Sequence, residues 1–563
     1  MTSLLAGAAP ELAKPILFVE LRFLGIFALI FLVHWAIRGH TGRKLWLLVA
    51  SHCFYACFFI GDPLRFFANL SKGAFAELPL GWWFPTLLWL STVMDYRVGL
   101  GIEGSRSQGA RRGWLLASIA MNLGILGFFK YYGFFEENVR ALFAWFGLTP
   151  VWEPLRIFLP YGISFYTFQS LSYSIEVYRG RLPAERSFLN LALFVAFFPQ
   201  LIAGPIVRAA RFLPQTRVAH AWSSVDVRGC ATLFFIGFVK KACVADGLAP
   251  VVDAYFAAPQ LYDVASAWMA LLCYAAQVYC DFSGYTDMAT AVARLLGYEL
   301  ALNFAFPYLS ANVADFWRRW HISLSTWLRD YLYLSLGGLR ASRLVVARNI
   351  LITMLLGGLW HGASWTFVAW GGMHGLALAL HGEWARRLAG RFQPQMRWLG
   401  VPLTFAFVLF SFVPFRAADL YVEAGSGKPL QSEADGFYRP QDHDLRHPKA
   451  GLERDPVSGD WHLRGEPDEV RVRRASGSFA AAARIWGRLL GFGREGPERV
   501  ANGGLAILLA LLGAVHAMNS RHVFASWWRA IPGWSYAALL GAGTGLALLF
   551  RPPLYQPFIY FQF

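Results

Sequence analysis

Long apolar runs, each closed by a short polar or basic stretch, set the pattern of this chain. They recur at roughly 17–37, 45–61, 81–96, 113–129, 156–177, 187–207, 231–250, 265–280, 345–360, 364–382, 399–415, 504–519 and 534–551. A bilayer core needs about twenty apolar residues per helix, so the pattern predicts an all-α polytopic membrane protein with about eleven to thirteen membrane-embedded helices, some of them re-entrant. The first run lies too deep, and too many others follow it, for a cleaved signal peptide; it reads as a first span. Composition agrees, because 56% apolar, 17% aromatic and 15% charged residues in a chain of 563 do not describe a soluble globular protein.

The net charge of +16 raises the question of nucleic acid, but the basic residues gather in short loops between apolar runs, which is the pattern of membrane topology. Loop 38–44 carries Arg38, Arg43 and Lys44 with no acid, and loop 97–112 carries Arg97, Arg106, Arg111 and Arg112 against Glu103. The loop between them balances Arg65 and Lys72 with Asp62 and Glu77. By the positive-inside rule the two basic loops face the cytoplasm and the N-terminus lies outside. The six cysteines fall in apolar runs without zinc-type pairing and read as packing residues.

Motif density begins at Pro160-Tyr-Gly-Ile-Ser-Phe-Tyr-Thr-Phe-Gln169, where Gln169, Ser172, Tyr173 and Glu176 recur near helical spacing and share a face that avoids lipid. Interhelical hydrogen bonding accounts for such groups more often than substrate contact does. Phe198-Pro-Gln-Leu-Ile-Ala-Gly-Pro205 interrupts an apolar run and predicts a broken helix, either a cavity wall or a proline kink. Gln277-Val-Tyr-Cys-Asp281-Phe-Ser-Gly-Tyr-Thr-Asp287 places two carboxylates at the end of an apolar helix. They can orient a histidine, complete a polar network with Gln277, or hold a basic partner such as Arg318; structural support is the favoured reading. No metal site is expected, since His374 and His381 stand two turns apart on one helix and no recognised ligand motif occurs.

The most informative stretch is Asp315-Phe-Trp-Arg-Arg-Trp-His321 through Asp330, followed forty residues after its histidine by Leu-Trp360-His361-Gly. Ionisable groups in such apolar surroundings are costly and point to a function. Trp317, Trp320, Trp327, Tyr331 and Tyr333 among Arg318, Arg319 and Arg329 favour an interfacial or re-entrant helix over 315–334. Its arginines suit an anionic donor at a funnel rim, or simply anchor to headgroups. His361, flanked by Gly357, Gly358 and Gly362, is the better candidate for the reacting centre, because small residues let backbone or a narrow ligand approach. A neutral imidazole can take the proton of a hydroxyl as it attacks a thioester, the step that acyl transfer requires.

These motifs, in order across 160–362, resemble the membrane-bound O-acyltransferase (MBOAT) family, and within it the bacterial alginate O-acetyltransferase branch related to the D-alanyl transfer proteins. The resemblance implies a ring of tilted helices around a central acyl-transfer tunnel, with His361 as catalytic histidine, His321 assisting, and Asp281, Asp287, Gln277, Arg318 and Trp360 supporting the polar centre. It further implies acetyl-CoA as donor with no bound cofactor, an exported polysaccharide such as alginate as destination, and a bacterial inner-membrane location. In this branch a separate extracytoplasmic serine-esterase-like partner completes the transfer to sugar, and one is expected here. D-alanyl, peptidoglycan or cellulose acylation stays open. A transporter is disfavoured, because no duplicate of the histidine motifs appears in the other half.

Four regions follow: N-terminal helices over 1–150, a catalytic core over 151–419, a hydrophilic insertion over 420–500, and C-terminal helices over 501–563. The insertion is rich in charge, proline and glycine, and ends in a basic stretch, Arg471 to Leu490, suited to an interfacial helix.

Overall fold

The computed structural model describes residues 17–60, 83–150, 157–257, 262–338, 342–387, 397–417, four short strands between 421 and 474, then 479–492, 499–520 and 531–552, with a few isolated positions between them. Each apolar run of the sequence carries helix among its described residues. Among the described residues, three helical stretches are long and apolar enough to cross a membrane, Gln108–Trp145, Arg343–His361 and Trp398–Arg416. Shorter apolar helices cover Leu21–Ala36, Gly503–Asn519 and Gly533–Leu549. The protein is a helical, polytopic membrane protein.

The chain divides into two compact units, residues 1–238 with 285–301, and residues 239–284 with 302–563. In the first, the helix Ile163–Tyr178 is buried at nearly every position, so its polar side chains have to be satisfied by neighbours rather than by solvent. Asp95, fully buried on the helix Pro85–Gly104, accepts hydrogen bonds from Ser118 Oγ (2.5 Å), Ser174 Oγ (2.8 Å) and Asn122 Nδ2 (2.9 Å). One carboxylate thereby ties three helices together. Gln169, Ser172, Tyr173 and Glu176 are all buried, and Tyr173 OH accepts the Glu185 amide at 3.0 Å. The run at 187–207 breaks as its prolines and glycine predict: Phe188–Ala196 ends, a single turn covers Phe198–Leu201, and extended chain follows.

The second unit holds most of the helix Val264–Leu295, 32 residues long. It also holds the hairpin Arg343–His361 and Trp365–Arg387, and the helix Arg397–Arg416. The insertion contributes four antiparallel strands, β1 (Tyr421–Glu423), β2 (Leu452–Arg454), β3 (Trp461–Leu463) and β4 (Arg471–Arg474), in the order β1-β4-β3-β2. The basic stretch at its end is therefore strand first and helix second. That helix, Phe479–Leu489, buries Ala481, Ala482, Ile485 and Leu489. It stacks Trp486 on Phe410 at 5.0 Å while its indole N–H donates to the Phe410 carbonyl at 3.1 Å. Its apolar face is spent on protein rather than on lipid headgroups.

Candidate active site

The hairpin that carries His361 owes its closeness to glycine. A Cβ on Gly358 would run into the Phe367 carbonyl oxygen and stand 3.1 Å from Gly371 Cα; one on Gly371 would run into the Met354 carbonyl oxygen. The two helices touch backbone to backbone, as small residues allow between membrane helices. Ser364 in the short link accepts the Thr366 amide at 3.3 Å and so starts the second helix. His361, the last residue of the first, is 4% exposed within a box of rings. Trp360 and Trp370 lie 5.1 Å away, Phe415 5.4 Å and His321 6.4 Å, centroid to centroid.

His321 reaches this box because the helix expected over 315–334 is broken. Val313–Arg319 is capped by Asn312, whose Oδ1 accepts the Asp315 amide at 2.8 Å. The chain then turns at His321, which adopts φ 43°, and resumes as Ile322–Trp327 and a π-helical turn Leu328–Tyr333. A non-glycine residue in the left-handed region is strained by about 1–3 kcal/mol and persists only when its surroundings over-determine it. Here two backbone bonds do so, Ala305 N–H to Arg319 O at 3.0 Å and Ile322 N–H to Asn303 O at 2.9 Å. The break turns Trp320, Trp327 and Tyr331 inward, where they are 3–7% exposed. The aromatic belt read from the sequence is thus largely core. His321 itself is fully buried, with the Phe282 ring nearly perpendicular to it at 4.7 Å and Trp360 at 6.0 Å, centroid to centroid.

A third histidine supports the other two. His374 Nδ1 accepts the Trp317 indole N–H at 3.3 Å, so its Nε2 carries the hydrogen and donates to Ser411 Oγ at 3.0 Å; Ser411 in turn donates to the Val408 carbonyl at 2.7 Å. Trp370 lies against both His374 (4.8 Å) and His361 (5.1 Å). The chain of bonds therefore fixes one wall of the box.

The remaining sequence candidates fall in different places. Asp281 lies with Lys241, whose Nζ is 2.6 Å from its Oδ1 and 2.6 Å from Asp246 Oδ1. Gln277 stands one helical turn before Asp281, half-buried, and Asp287 lies two turns beyond it on the same helix. The rim arginines each meet a carboxylate: Arg318 and Arg319 lie 3.4 and 3.1 Å from Asp315, and Arg329 lies 2.6 Å from Asp330. Arg318 and Arg329 stay largely exposed, while Arg319 is half-buried. Sequence reasoning missed Lys241, which sits on the π-helical segment Val239–Ala245 with no motif around it, and Asn303, a lone amide in extended chain. A basic residue inside an apolar run was the available signal for Lys241. It also missed Trp370 and Phe415, which read as ordinary apolar residues.

A helical membrane protein with two buried histidines facing each other inside an aromatic box has the parts of an intramembrane acyltransferase. Residues 35–421 match the membrane-bound O-acyltransferase (MBOAT) family model, and the chain belongs to that family. It is therefore an O-acyltransferase. It is 42% identical over 404 residues to a probable alginate O-acetylase AlgI of Pseudomonas aeruginosa, covering 71% of this chain and 72% of that protein. A probable alginate O-acetylase AlgI of Azotobacter vinelandii is 43% identical over 406 residues, covering 71% and 75%. A peptidoglycan O-acetyltransferase of Helicobacter pylori is 36% identical over 433 residues, covering 72% and 76%.

Proposed function

We propose that this protein passes acetyl from cytoplasmic acetyl-CoA across the bacterial inner membrane for O-acetylation of an exported polysaccharide, alginate or an alginate-like glycan. The observation that carries the reading is the enclosed pair His321 and His361, whose ring centroids lie 6.4 Å apart. A single small acyl or hydroxyl group can meet both rings at that separation. The similarity to alginate O-acetylases over more than two thirds of both chains supports acetyl and alginate. The likeness to a peptidoglycan O-acetyltransferase keeps a peptidoglycan acceptor as the second reading.

In this reading His361 is the general base. It takes the proton of the acceptor hydroxyl as that oxygen bonds to the acetyl carbonyl carbon. The carbon–sulfur bond then breaks, and the leaving thiolate takes the proton back from the imidazolium. His321 positions donor or acceptor beside it. Asp281, Asp287, Gln277 and Trp360 hold the surrounding polar and aromatic frame, and Arg318, Arg319 and Arg329 attract the phosphates of the donor. The acceptor hydroxyl is a serine of a separate extracytoplasmic esterase-like partner, which completes the transfer to sugar. The N-terminus lies on the periplasmic side, in keeping with the basic loops 38–44 and 97–112.

Acetyl release from radiolabelled acetyl-CoA by the purified full chain in nanodiscs tests the reading, with wild type compared against His361→Ala. Turnover lost in the variant, at equal protein abundance, is the expected result. Turnover retained in His361→Ala rejects the base assignment. Turnover absent from both, and restored by a carrier-bound D-alanyl donor, rejects acetyl-CoA.

A further inference from the structure

Asn303 is fully buried in the extended chain before the helix Val313–Arg319, and it holds three consecutive residues at the break that presents His321. Its backbone carbonyl accepts the Ile322 amide at 2.9 Å. Its Oδ1 accepts the Ser323 amide at 3.3 Å and the Ser323 hydroxyl at 2.8 Å, and lies 3.1 Å from His321 Nδ1. A backbone N–H can only donate, so the side-chain atom that meets Ser323 is the oxygen, and this settles which way the Asn303 amide points. That oxygen has no hydrogen to give, so the hydrogen between it and the imidazole belongs to His321 Nδ1. A neutral imidazole carries one N–H, which leaves the lone pair on Nε2.

We infer that Asn303 is the positioning residue of this site. It fixes the tautomer of His321 with Nε2 as the proton-accepting atom, and it secures the left-handed backbone that turns this ring toward Trp360 and His361. The catalytic consequence rests on the acyl-transfer reading of His321; the tautomer does not. Asn303 would act as the partner that orients a histidine in other active sites does, by holding the far nitrogen so that the near one faces the chemistry.

Two measurements on the full chain in nanodiscs test this. The first is ¹⁵N NMR of protein labelled at the histidine rings, with the His321 signals identified as those that vanish in His321→Gln. Protonated Nδ1 with bare Nε2 is the expected state, and protonated Nε2 overturns the inference whatever the activity. The second is kinetic. Asn303→Leu, similar in size but without an acceptor, is expected to lower kcat by about 10–100-fold with little change in KM, the loss usual for an orienting partner. Asn303→Asp, which keeps the acceptor, is expected to retain kcat to within about 10-fold of wild type. Equal loss in both variants, or wild-type kcat in Asn303→Leu, overturns the positioning role. His321→Ala in the same assay separates the two ideas: full turnover there rejects the role of His321 in acyl transfer, while the tautomer stays settled by NMR.

Discussion

Lys241 and Asp281 form an ion pair at 2.6 Å with both residues 2% exposed, and Asp246 closes the group from the other side of the same ammonium at 2.6 Å. Lys241 lies in a π-helical turn, a form of helix frequent at functional positions. Asp281 precedes Phe282, whose ring lies nearly perpendicular to that of His321 with the centroids 4.7 Å apart. The ion pair and the ring contact thus fall on adjacent residues of the same long helix. Removing the lysine leaves two buried carboxylates facing each other. Lys241→Met is expected to destabilise the protein by about 3–5 kcal/mol. Asp281→Asn leaves Lys241 with Asp246 and is expected to cost less, about 1–3 kcal/mol. Thermal unfolding in detergent, followed by loss of the monodisperse peak, ranks the two; Asp281→Asn as damaging as Lys241→Met contradicts the shared-ammonium arrangement.

The hydrogen-bond chain Trp317, His374, Ser411 and Val408 makes a second prediction. Trp317→Phe removes one bond of a buried network and Ser411→Ala removes two, and each is expected to cost about 1–3 kcal/mol. His374→Phe removes both of its bonds at once, so adding Trp317→Phe to it should cost almost nothing more. A double-mutant cycle on thermal stability measures the coupling. Additive losses show that the indole and the imidazole act independently.

At the hairpin seam, Gly358→Ala places a methyl against the Phe367 carbonyl, which belongs to backbone and cannot rotate away. Overpacking of this kind typically costs about 1–3 kcal/mol. The helices must part for it to fit, so activity should fall further than stability. Turnover measured well below the unfolding temperature checks this, and wild-type turnover in Gly358→Ala rejects the close approach.

Acid sensitivity is expected at Glu185, in the loop after the helix Ile163–Tyr178. Burial pushes its carboxyl up, but hydrogen bonds from Arg217, the Ser187 amide and Asn190, with the charge of Arg217, outweigh burial and hold it below the ordinary glutamate value. A carboxylate held low when folded contributes stability that is complete above its unfolded value of about 4.3 and disappears as pH falls through the folded one. Glu185→Gln should therefore lower the unfolding temperature at neutral pH and flatten its fall below about pH 4.3. Parallel unfolding curves for the two proteins across that range contradict the assignment.

The helices and the histidine pair were legible because each leaves a local mark. Apolar runs of about twenty residues mark spans, and a histidine among glycines and apolar residues stands out wherever it occurs. The break at His321 left none. Residues 315–334 contain neither glycine nor proline, and the turn is held by hydrogen bonds donated to Asn303, eighteen residues before His321, and by the bond from the Ala305 amide to the Arg319 carbonyl. The inward aromatics Trp320, Trp327 and Tyr331 follow from that same break, so a pattern suited to a headgroup belt became core. Lys241 escaped notice for a related reason: the sequence displays a lysine in an apolar run with Asp246 five residues on, but its second carboxylate, Asp281, is joined to it only by folding. The basic end of the insertion divided between β4 and the helix Phe479–Leu489, whose Trp486 found Phe410 instead of lipid.

The backbone contact between Gly358 and Gly371 also governs how the site answers to its membrane. Helices separated by long side chains can slide or splay as a bilayer thickens or thins, since the side chains between them change rotamer. This pair has no such cushion, so hydrophobic mismatch is taken up by tilting both helices as one body. Trp360 and His361 ride on that body together with Trp370, so these three rings keep their mutual spacing as the tilt changes, while Phe415 and His321, on other elements, do not belong to it. Lipid thickness is then expected to alter the depth of His361, Trp360 and Trp370 in the bilayer without altering the distances among the three rings.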